Sequence, residues 1–127
     1  MAVVDSWLAR FVFDRKKIRA DETVKHRAFL PSPQHGNNTS VFAVGDLSNS
    51  DVCQLARDEI EPSIGRPAKG YAKLELADVL HAGLVVEIDE PPPRHRVISG
   101  WSDRREKQDE AALILAARCS FVRCSAP

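Results

Sequence analysis

Residues 90–102 read Glu-Pro-Pro-Pro-Arg-His-Arg-Val-Ile-Ser-Gly-Trp-Ser, and they decide how the second half of the chain is connected. Three consecutive prolines each fix φ and lack an N–H donor, so they predict an extended, polyproline-like run that holds His95 in place. Gly100 permits a tight turn, and Ser102 is a suitable N-cap for a following helix. The stretch therefore predicts a rigid connection that brings a histidine and two arginines to the start of the last helix.

The segments on either side of this stretch have different structural preferences. Residues 84–88, Leu-Val-Val-Glu-Ile, are typical of a strand that runs directly into the prolines. Residues 103–118 have a charged first half and an apolar second half with a shared helical face, so they predict the longest helix. Before them, residues 71–76 predict a strand that leads into a short helix at 76–82, which Gly83 ends as a left-handed C-cap.

The first half of the chain is interpreted as three strands followed by a helix. Residues 8–13, 25–30 and 39–44 predict consecutive strands with short connections, which favours an antiparallel meander. After Ser48, a capping residue, four apolar residues at helical spacing predict a helix: Val52, Leu55, Ala56 and Ile60. Residues 1–127 are therefore predicted to form a single α+β domain, a mostly antiparallel sheet of about five strands packed by two main helices and one short helix.

Charge is balanced overall but segregated along the chain. The 18 basic residues equal the 18 acidic ones, so the net charge is zero. Residues 1–40 and 91–127 each hold seven Lys/Arg against four Asp/Glu, whereas residues 41–90 hold four against ten. If the two ends of the chain meet, they form a positive face suited to weak, salt-sensitive binding of nucleic acid. The alternative is an ordinary solvated surface of mutually screened charges.

The cysteines and the hydropathy pattern indicate which cofactors and which cellular location to expect. The three cysteines form no CxxC pair, which argues against a disulfide framework and against a zinc site, and reduced thiols in the cytosol fit best. The longest apolar run, residues 111–117, is far shorter than the roughly 20 residues that span a bilayer. We therefore expect a cytoplasmic protein with no membrane association, no metal and no other cofactor.

His95 is the leading candidate for chemistry. The positive charges of Arg94 and Arg96 disfavour the imidazolium form, so a neutral imidazole able to accept a proton near pH 7 is expected. His26, between two basic residues, is the natural partner, because one histidine can then act as base and the other as acid. The alternative is a structural role, in which the His95 ring satisfies backbone groups and anchors the loop.

The residues around His95 are candidates for binding. Arg94, Arg96, Arg104 and Arg105 lie near the start of the last predicted helix, where free N–H groups and guanidinium groups favour a phosphate or carboxylate. Trp101 has a ring suited to stacking on a base or clamping a partner. Its alternative role is a lid on the hydrophobic core.

Several short motifs resemble a group of small, uncharacterised bacterial proteins of the same length. In chain order they are Phe11-x-Phe13, Phe29-Leu30-Pro31, Ser40-Val41-Phe42, Leu84-x-Val86 and His95-x-x-Ile98-x-Gly100-Trp101. These motifs extend over most of the chain and are mostly structural. The resemblance implies a stand-alone bacterial domain and attaches no activity to it.

Two functions from different classes are consistent with these observations. The first is a non-catalytic binding or accessory module of a bacterial multi-component system, which engages a protein or nucleic-acid partner through the 90–102 loop and the basic ends. The second is a small metal-independent enzyme acting on a phosphodiester or nucleotide, with His95 and His26 as base and acid. The enzyme hypothesis requires both imidazoles to face one cleft.

Overall fold

A six-stranded sheet forms the centre of the protein. The computed structural model describes residues 3–124. The strands are β1 (Trp7–Val12), β2 (Thr39–Ala43), β3 (Gly70–Glu75), β4 (Val85–Ile88), β5 (His95–Ser99) and β6 (Ser120–Arg123). Their order across the sheet is β4-β5-β2-β1-β3-β6, and every neighbouring pair is antiparallel. The predicted α+β class with a mostly antiparallel sheet is confirmed.

The helices follow the predicted stripes, with one correction at a cap. They are α1 (Asn49–Glu59), the short α2 (Glu61–Ile64), α3 (Leu76–His81) and α4 (Arg105–Arg118). The Ser48 hydroxyl accepts the Asp51 N–H as predicted, and Gly83 follows α3 at φ +83°. Ser102 is not the cap of α4, however. Arg104 is the N-cap residue, and the Ser102 hydroxyl accepts its N–H at 3.1 Å. No helix in residues 3–124 is long and apolar enough to cross a membrane.

Helices cover both faces of the sheet, so the inner strands are buried on both sides. On one side, which we call the α4 face, the core includes Leu8, Phe29, Leu74, Ile98 and Leu115 beneath α3 and α4. On the other side, the α1 face, Phe11, Phe42 and Tyr71 pack with Val52 and Ala56 of α1. Alternate residues of each strand point to opposite faces, which is why both sets are apolar.

The predicted strand at 25–30 is wrong. His26–Phe29 forms a 3-10 turn whose Ala28 and Phe29 are buried against the α4 face. Its carbonyl groups are satisfied by side chains rather than by a neighbouring strand. The Arg10 Nε donates to the Ala28 carbonyl at 2.9 Å, and the Thr39 hydroxyl donates to the Phe29 carbonyl at 2.7 Å. These side chains, distant in sequence, replace the hydrogen bonds from a neighbouring strand that the sequence pattern predicted.

Two strands were not predicted, and one of them changes the reading of residues 90–102. β5 lies inside the sheet between β2 and β4, and β6 forms the opposite edge. Residues 90–94 therefore close a hairpin between β4 and β5, with cis peptide bonds before Pro91 and Pro92, and the predicted extended run is wrong. Two backbone bonds close this hairpin, from the Asp89 N–H to the His95 carbonyl at 3.1 Å and from the His95 N–H to the Pro92 carbonyl at 3.2 Å.

A disulfide joins Cys53 of α1 to Cys124, directly after β6. Their Cα atoms are 5.7 Å apart. The expectation of reduced thiols without a disulfide is therefore wrong, because the fold brings together two cysteines that are 71 positions apart in sequence. Cys119 keeps a free thiol, and burial raises its pKa to about 11. The disulfide ties the helix on the α1 face to an edge strand.

Candidate functional site

His95 begins β5 and is held by the hairpin that precedes it. Its Nδ1 lies 2.8 Å from the Asp89 carbonyl oxygen and 3.2 Å from the Asp89 carboxylate. Both neighbours are acceptors, so Nδ1 carries a hydrogen, and in the neutral imidazole the lone pair is on Nε2. The ring packs edge-on against Phe42, with centroids 5.2 Å apart. Within residues 3–124, Nε2 has no hydrogen-bond partner, and His95 lines a cavity on the α1 face.

The two arginines of the hairpin are already neutralised by carboxylates. Arg94 forms a two-pronged ion pair with Asp46, with nitrogen–oxygen distances of 2.6 and 2.9 Å. Buried Arg96 donates from Nε to Asp5 and from Nη1 to Glu90, each at 2.9 Å. These contacts stabilise the hairpin and leave neither guanidinium available as the anion ligand that the sequence suggested.

The same ion pairs shift the acid titration of their partners. A hydrogen bond from Arg94 lowers the pKa of Asp46, and hydrogen bonds from Arg96 and from the Arg94 backbone lower the pKa of Glu90. A lowered carboxyl pKa contributes stability above the unfolded-state value, and this stability is lost as the pH falls through the folded-state value. The ion pairs therefore brace the hairpin at neutral pH.

The remaining predicted binding residues lie away from His95. Trp101 is 9% exposed in the core of the α4 face, where its Nε1 donates to the Ile98 carbonyl at 3.0 Å. Arg104 pairs with Glu106, and Arg105 lies 3.2 Å from Asp109 on the exposed first turns of α4. Trp101 thus has the core role considered as the alternative, and the two arginines are paired within their own helix.

The structure does not bring His26 and His95 together. His26 Nε2 lies 3.4 Å from Asp109 of α4, so this imidazole belongs to the α4 face. His95 packs on Phe42 of the α1 face, and His26 does not line its cavity. An acid and a base on opposite faces of a sheet cannot reach one reacting group. The geometry that the two-histidine mechanism requires is therefore not present.

A cluster of basic side chains, which we call the basic face, lies at one end of the sheet. Five of them line a groove of about 420 Å³: Arg15, Lys16, Arg19, Lys69 and Arg123. Lys17 and Arg66 line a smaller cavity of about 140 Å³ that begins on the same 3-10 turn, Arg15–Lys17. One cation of the second basic segment, Arg123 of β6, shares the groove with residues 15–19, whereas the other six basic residues of 91–127 line neither cavity.

The basic face differs from the predicted site in its lack of carboxylate partners. Of its seven basic residues only Arg123 forms an ion pair with a carboxylate in the described residues, and the partner is Glu22. Burial lowers the pKa of Lys17, and so do the nearby positive charges of Arg10, Arg27 and Arg66. The negative charge of Asp14 opposes that fall in the pKa of Lys17, so it offsets part of the local positive charge. The remaining surplus of like charges attracts anions. The charge segregation pointed to the four basic residues at 15–19 but not to Arg66 and Lys69, which lie in the acidic middle segment of the chain.

Comparison of the chain with protein-family models, with curated proteins and with solved structures finds no match. The resemblance to small bacterial proteins therefore stays a prediction. In the described part of the chain, no three His, Cys, Asp or Glu side chains are grouped so that they could hold a metal ion. The basic face and the His95 cavity are the two candidate sites in the described residues.

Replacing His95 with alanine is expected to lower the free energy of unfolding by about 1–3 kcal/mol, because the Asp89 carbonyl loses its donor and Phe42 loses its ring contact. Thermal and urea melts measure this change. His26→Ala is the matched control, with an expected change within about 1 kcal/mol, since His26 makes only one partly exposed pairing. Equal losses in the two variants would contradict a structural role specific to His95.

Proposed function

We propose that the protein is a non-catalytic binding module, an accessory component that docks on the phosphate backbone of a nucleic acid through its basic face. The observation that carries this proposal is the contrast in pairing. The arginines at 94, 96, 104 and 105 each have a carboxylate partner, whereas six of the seven residues of the basic face have none in residues 3–124. A paired cation has little left to offer a phosphate, and an unpaired one has its full charge.

The placement of these cations fits contact with the phosphate backbone of a nucleic acid rather than recognition of its bases. Arg15, Lys16, Arg19 and Lys69 are exposed at the rim of the groove, and no helix of the basic face presents a row of side chains for a duplex groove. Phosphate contacts of this kind release counter-ions, so they produce affinity without sequence preference. We therefore propose weak, salt-sensitive and sequence-independent binding.

A cytoplasmic location, where nucleic acids are plentiful, is part of the proposal. Disulfides are rare in that compartment because thiol reductants keep cysteines reduced. Protein working there is therefore expected to have lost the Cys53–Cys124 bond, and its fold must tolerate that loss. No observation favours an enzyme as a second candidate, because among residues 3–124 no second histidine and no carboxylate lines the His95 cavity.

The proposal predicts that charge reversal on the basic face reduces both affinity and salt dependence. Lys16→Glu combined with Lys69→Glu is expected to weaken binding of a labelled 20-nucleotide strand at low salt by about tenfold or more. It is also expected to lower the slope of log Kd against log salt by about 1.5–2, since two phosphate contacts are lost. Fluorescence anisotropy at several KCl concentrations measures both quantities, for a single strand and for a duplex.

Arg104→Glu combined with Arg105→Glu is the matched control. It produces the same change in net charge at residues that the sequence suggested as binding residues, on exposed turns of α4. We expect this control to keep most of the wild-type slope. If both double variants lose the same affinity, the effect is one of net charge and the basic face is not a docking surface. Affinity that stays constant from low to high salt also contradicts the proposal.

A further inference from the structure

The His95 cavity lies where strands β1 and β2 separate. These strands pair at Leu8 and Ala9 of β1, opposite Ala43 and Phe42, and beyond that point their paths diverge. The cavity has a volume of about 520 Å³, within the usual range of about 300–1,000 Å³ for small-molecule sites. None of the seven residues of the basic face lines it, although Arg10, Phe11 and Phe13 also line the neighbouring cavity of about 140 Å³ that Lys17 and Arg66 share.

Apolar and polar groups are both present in its wall. The apolar part contains three phenylalanine rings, Phe11, Phe13 and Phe42, with two isoleucines from the end of α1 and from α2. The polar part contains Arg10, His95 and a few neutral side chains that include Asn38 and Ser40. A mainly apolar wall with a few convergent polar groups is typical of a site that recognises an organic molecule.

Arg10 is a half-buried cation without an anion. Its Nε donates to the Ala28 carbonyl and its Nη1 donates to the Ser40 carbonyl, both at 2.9 Å. In residues 3–124 it has no carboxylate partner, and its Nη2 has no hydrogen-bond partner. No fully buried side-chain nitrogen or oxygen in that range lacks a partner, so Nη2 is reached by solvent. The bonds from Nε and Nη1 thus hold the guanidinium group in place, and Nη2 is left without a partner in the described residues.

The charge of Arg10 is costly in this setting. Burial lowers the pKa of Arg10 to about 10, and the guanidinium is still charged at neutral pH. Buried charges in proteins are normally paired, and leaving one unpaired destabilises the fold. Arg94 and Arg96 show the usual solution, a carboxylate within hydrogen-bond distance. At Arg10 no described carboxylate takes this role, and the solvent-accessible Nη2 is open to an anion from outside the protein.

We propose that this cavity binds a small aromatic carboxylate, with its carboxylate on Arg10 and its ring among Phe11, Phe13 and Phe42. A carboxylate suits the site better than a phosphate because Arg10 is the only cation in the wall besides a histidine, so one negative charge is matched. Phenylalanine rings favour an aromatic ligand through stacked and edge-on contacts. The free Nε2 of neutral His95 accepts a hydrogen bond from a hydroxyl on that ring.

The test titrates the full chain with three probes and follows backbone amide shifts by NMR. 3-(4-Hydroxyphenyl)propionate has all the proposed features, the corresponding propanol lacks the charge, and inorganic phosphate lacks the ring. We expect saturable binding of the carboxylate with shifts around residues 10, 38–42 and 95. We expect at least tenfold weaker binding of the alcohol and no saturation by phosphate in the same range. Equal binding of the alcohol or of phosphate overturns the proposal, as does the absence of saturable carboxylate binding up to several millimolar.

Two substitutions locate the site. Arg10→Gln is expected to weaken the carboxylate at least tenfold and to leave the alcohol within about twofold, since only the charged contact is removed. Arg10 also donates to two backbone carbonyl groups, so its replacement can prevent folding. In that case a second variant tests whether the ligand binds in this cavity. Ile64 lines the cavity and is 43% exposed, so Ile64→Asp puts a repelling charge at its mouth without disturbing the core.

The matched control for that variant is Leu113→Asp, an equally exposed apolar residue on α4 that does not line the cavity. We expect Ile64→Asp to weaken the carboxylate at least fivefold and Leu113→Asp to leave it within twofold. Equal affinities for Ile64→Asp and Leu113→Asp overturn the assignment of this cavity, and so does an Arg10→Gln variant that folds and keeps wild-type affinity. Nucleic-acid binding by Ile64→Asp and Leu113→Asp is measured separately, since neither residue belongs to the basic face.

Discussion

Replacement of both Cys53 and Cys124 with serine is expected to lower the free energy of unfolding by about 4 kcal/mol. The disulfide closes a loop between residues 71 positions apart, so it removes a large number of conformations from the unfolded chain. Cys53 is buried on the α1 face, and the serine hydroxyl there also has to be desolvated. Urea unfolding without reductant measures the loss, and wild-type protein in excess dithiothreitol is expected to follow the double variant.

Cys119→Ser is the matched control for this prediction. Cys119 is half-buried and is a free thiol, so its replacement is expected to change stability by about 1 kcal/mol or less. A wild-type urea midpoint that is the same with and without dithiothreitol would show that the disulfide is absent in solution. Such a result contradicts the predicted loss directly.

The structural effect of losing the disulfide is expected to be concentrated in β6. Cys124 follows β6, an edge strand that pairs only with β3 and carries Arg123 of the basic face. Edge strands open more readily than central ones, so the amide protons of β6 are expected to exchange faster in the double serine variant. In the reduced form expected in the cytoplasm, the β6 side of the basic face is therefore expected to open more often than in the disulfide-bonded form.

Trp101→Ala is expected to lower the free energy of unfolding by about 3–5 kcal/mol, because it leaves a large cavity in the core of the α4 face. The ring packs in one cluster with Leu84 and Ile98, and it donates to the Ile98 carbonyl. The same variant is expected to bind nucleic acid in proportion to its folded fraction, since Trp101 lies outside the basic face. Urea melts and anisotropy titrations, made on the same samples, separate these two effects.

Trp7→Ala is the matched control for Trp101. Trp7 is half-buried, and its ring lies 4.8 Å from the Lys73 ammonium on the α1 face, so we expect a smaller loss of about 1–2 kcal/mol. If Trp101→Ala keeps wild-type stability and loses binding, the tryptophan is a partner contact and the core interpretation is wrong. Comparable stability losses in the two variants would also argue against a special core role.

The sequence by itself determined the features that depend on neighbouring residues. The start of α1 follows from the Ser48 hydroxyl and a stripe of apolar residues within a few turns, and both are visible in the thirteen positions from Ser48 to Ile60. The end of α3 follows from a glycine that adopts a positive φ with no steric penalty. The α+β class follows in the same way, since alternating and helical periodicities are local properties of the chain.

Strands were harder to predict from the sequence where contacts with residues distant in sequence decide whether a segment forms a strand. β5 is buried between β2 and β4, yet it was interpreted as a loop because prolines precede it and a glycine follows it. Residues 25–30 have a strand-like composition, but Arg10 and Thr39 satisfy their carbonyl groups and hold them in a 3-10 turn. Local propensity is weak beside such tertiary hydrogen bonds.

Only the tertiary structure decided which charges have partners. Arg96 and Arg10 are both arginines in strands. Arg96 is neutralised by Glu90 of its own hairpin and by Asp5, which is 91 positions away, whereas the fold brings no described carboxylate within ion-pair distance of Arg10. An ion pair depends on distances of a few ångströms between residues that are remote in sequence. The sequence therefore determined which segments are basic, and the fold alone decided which of their cations remain available to a ligand.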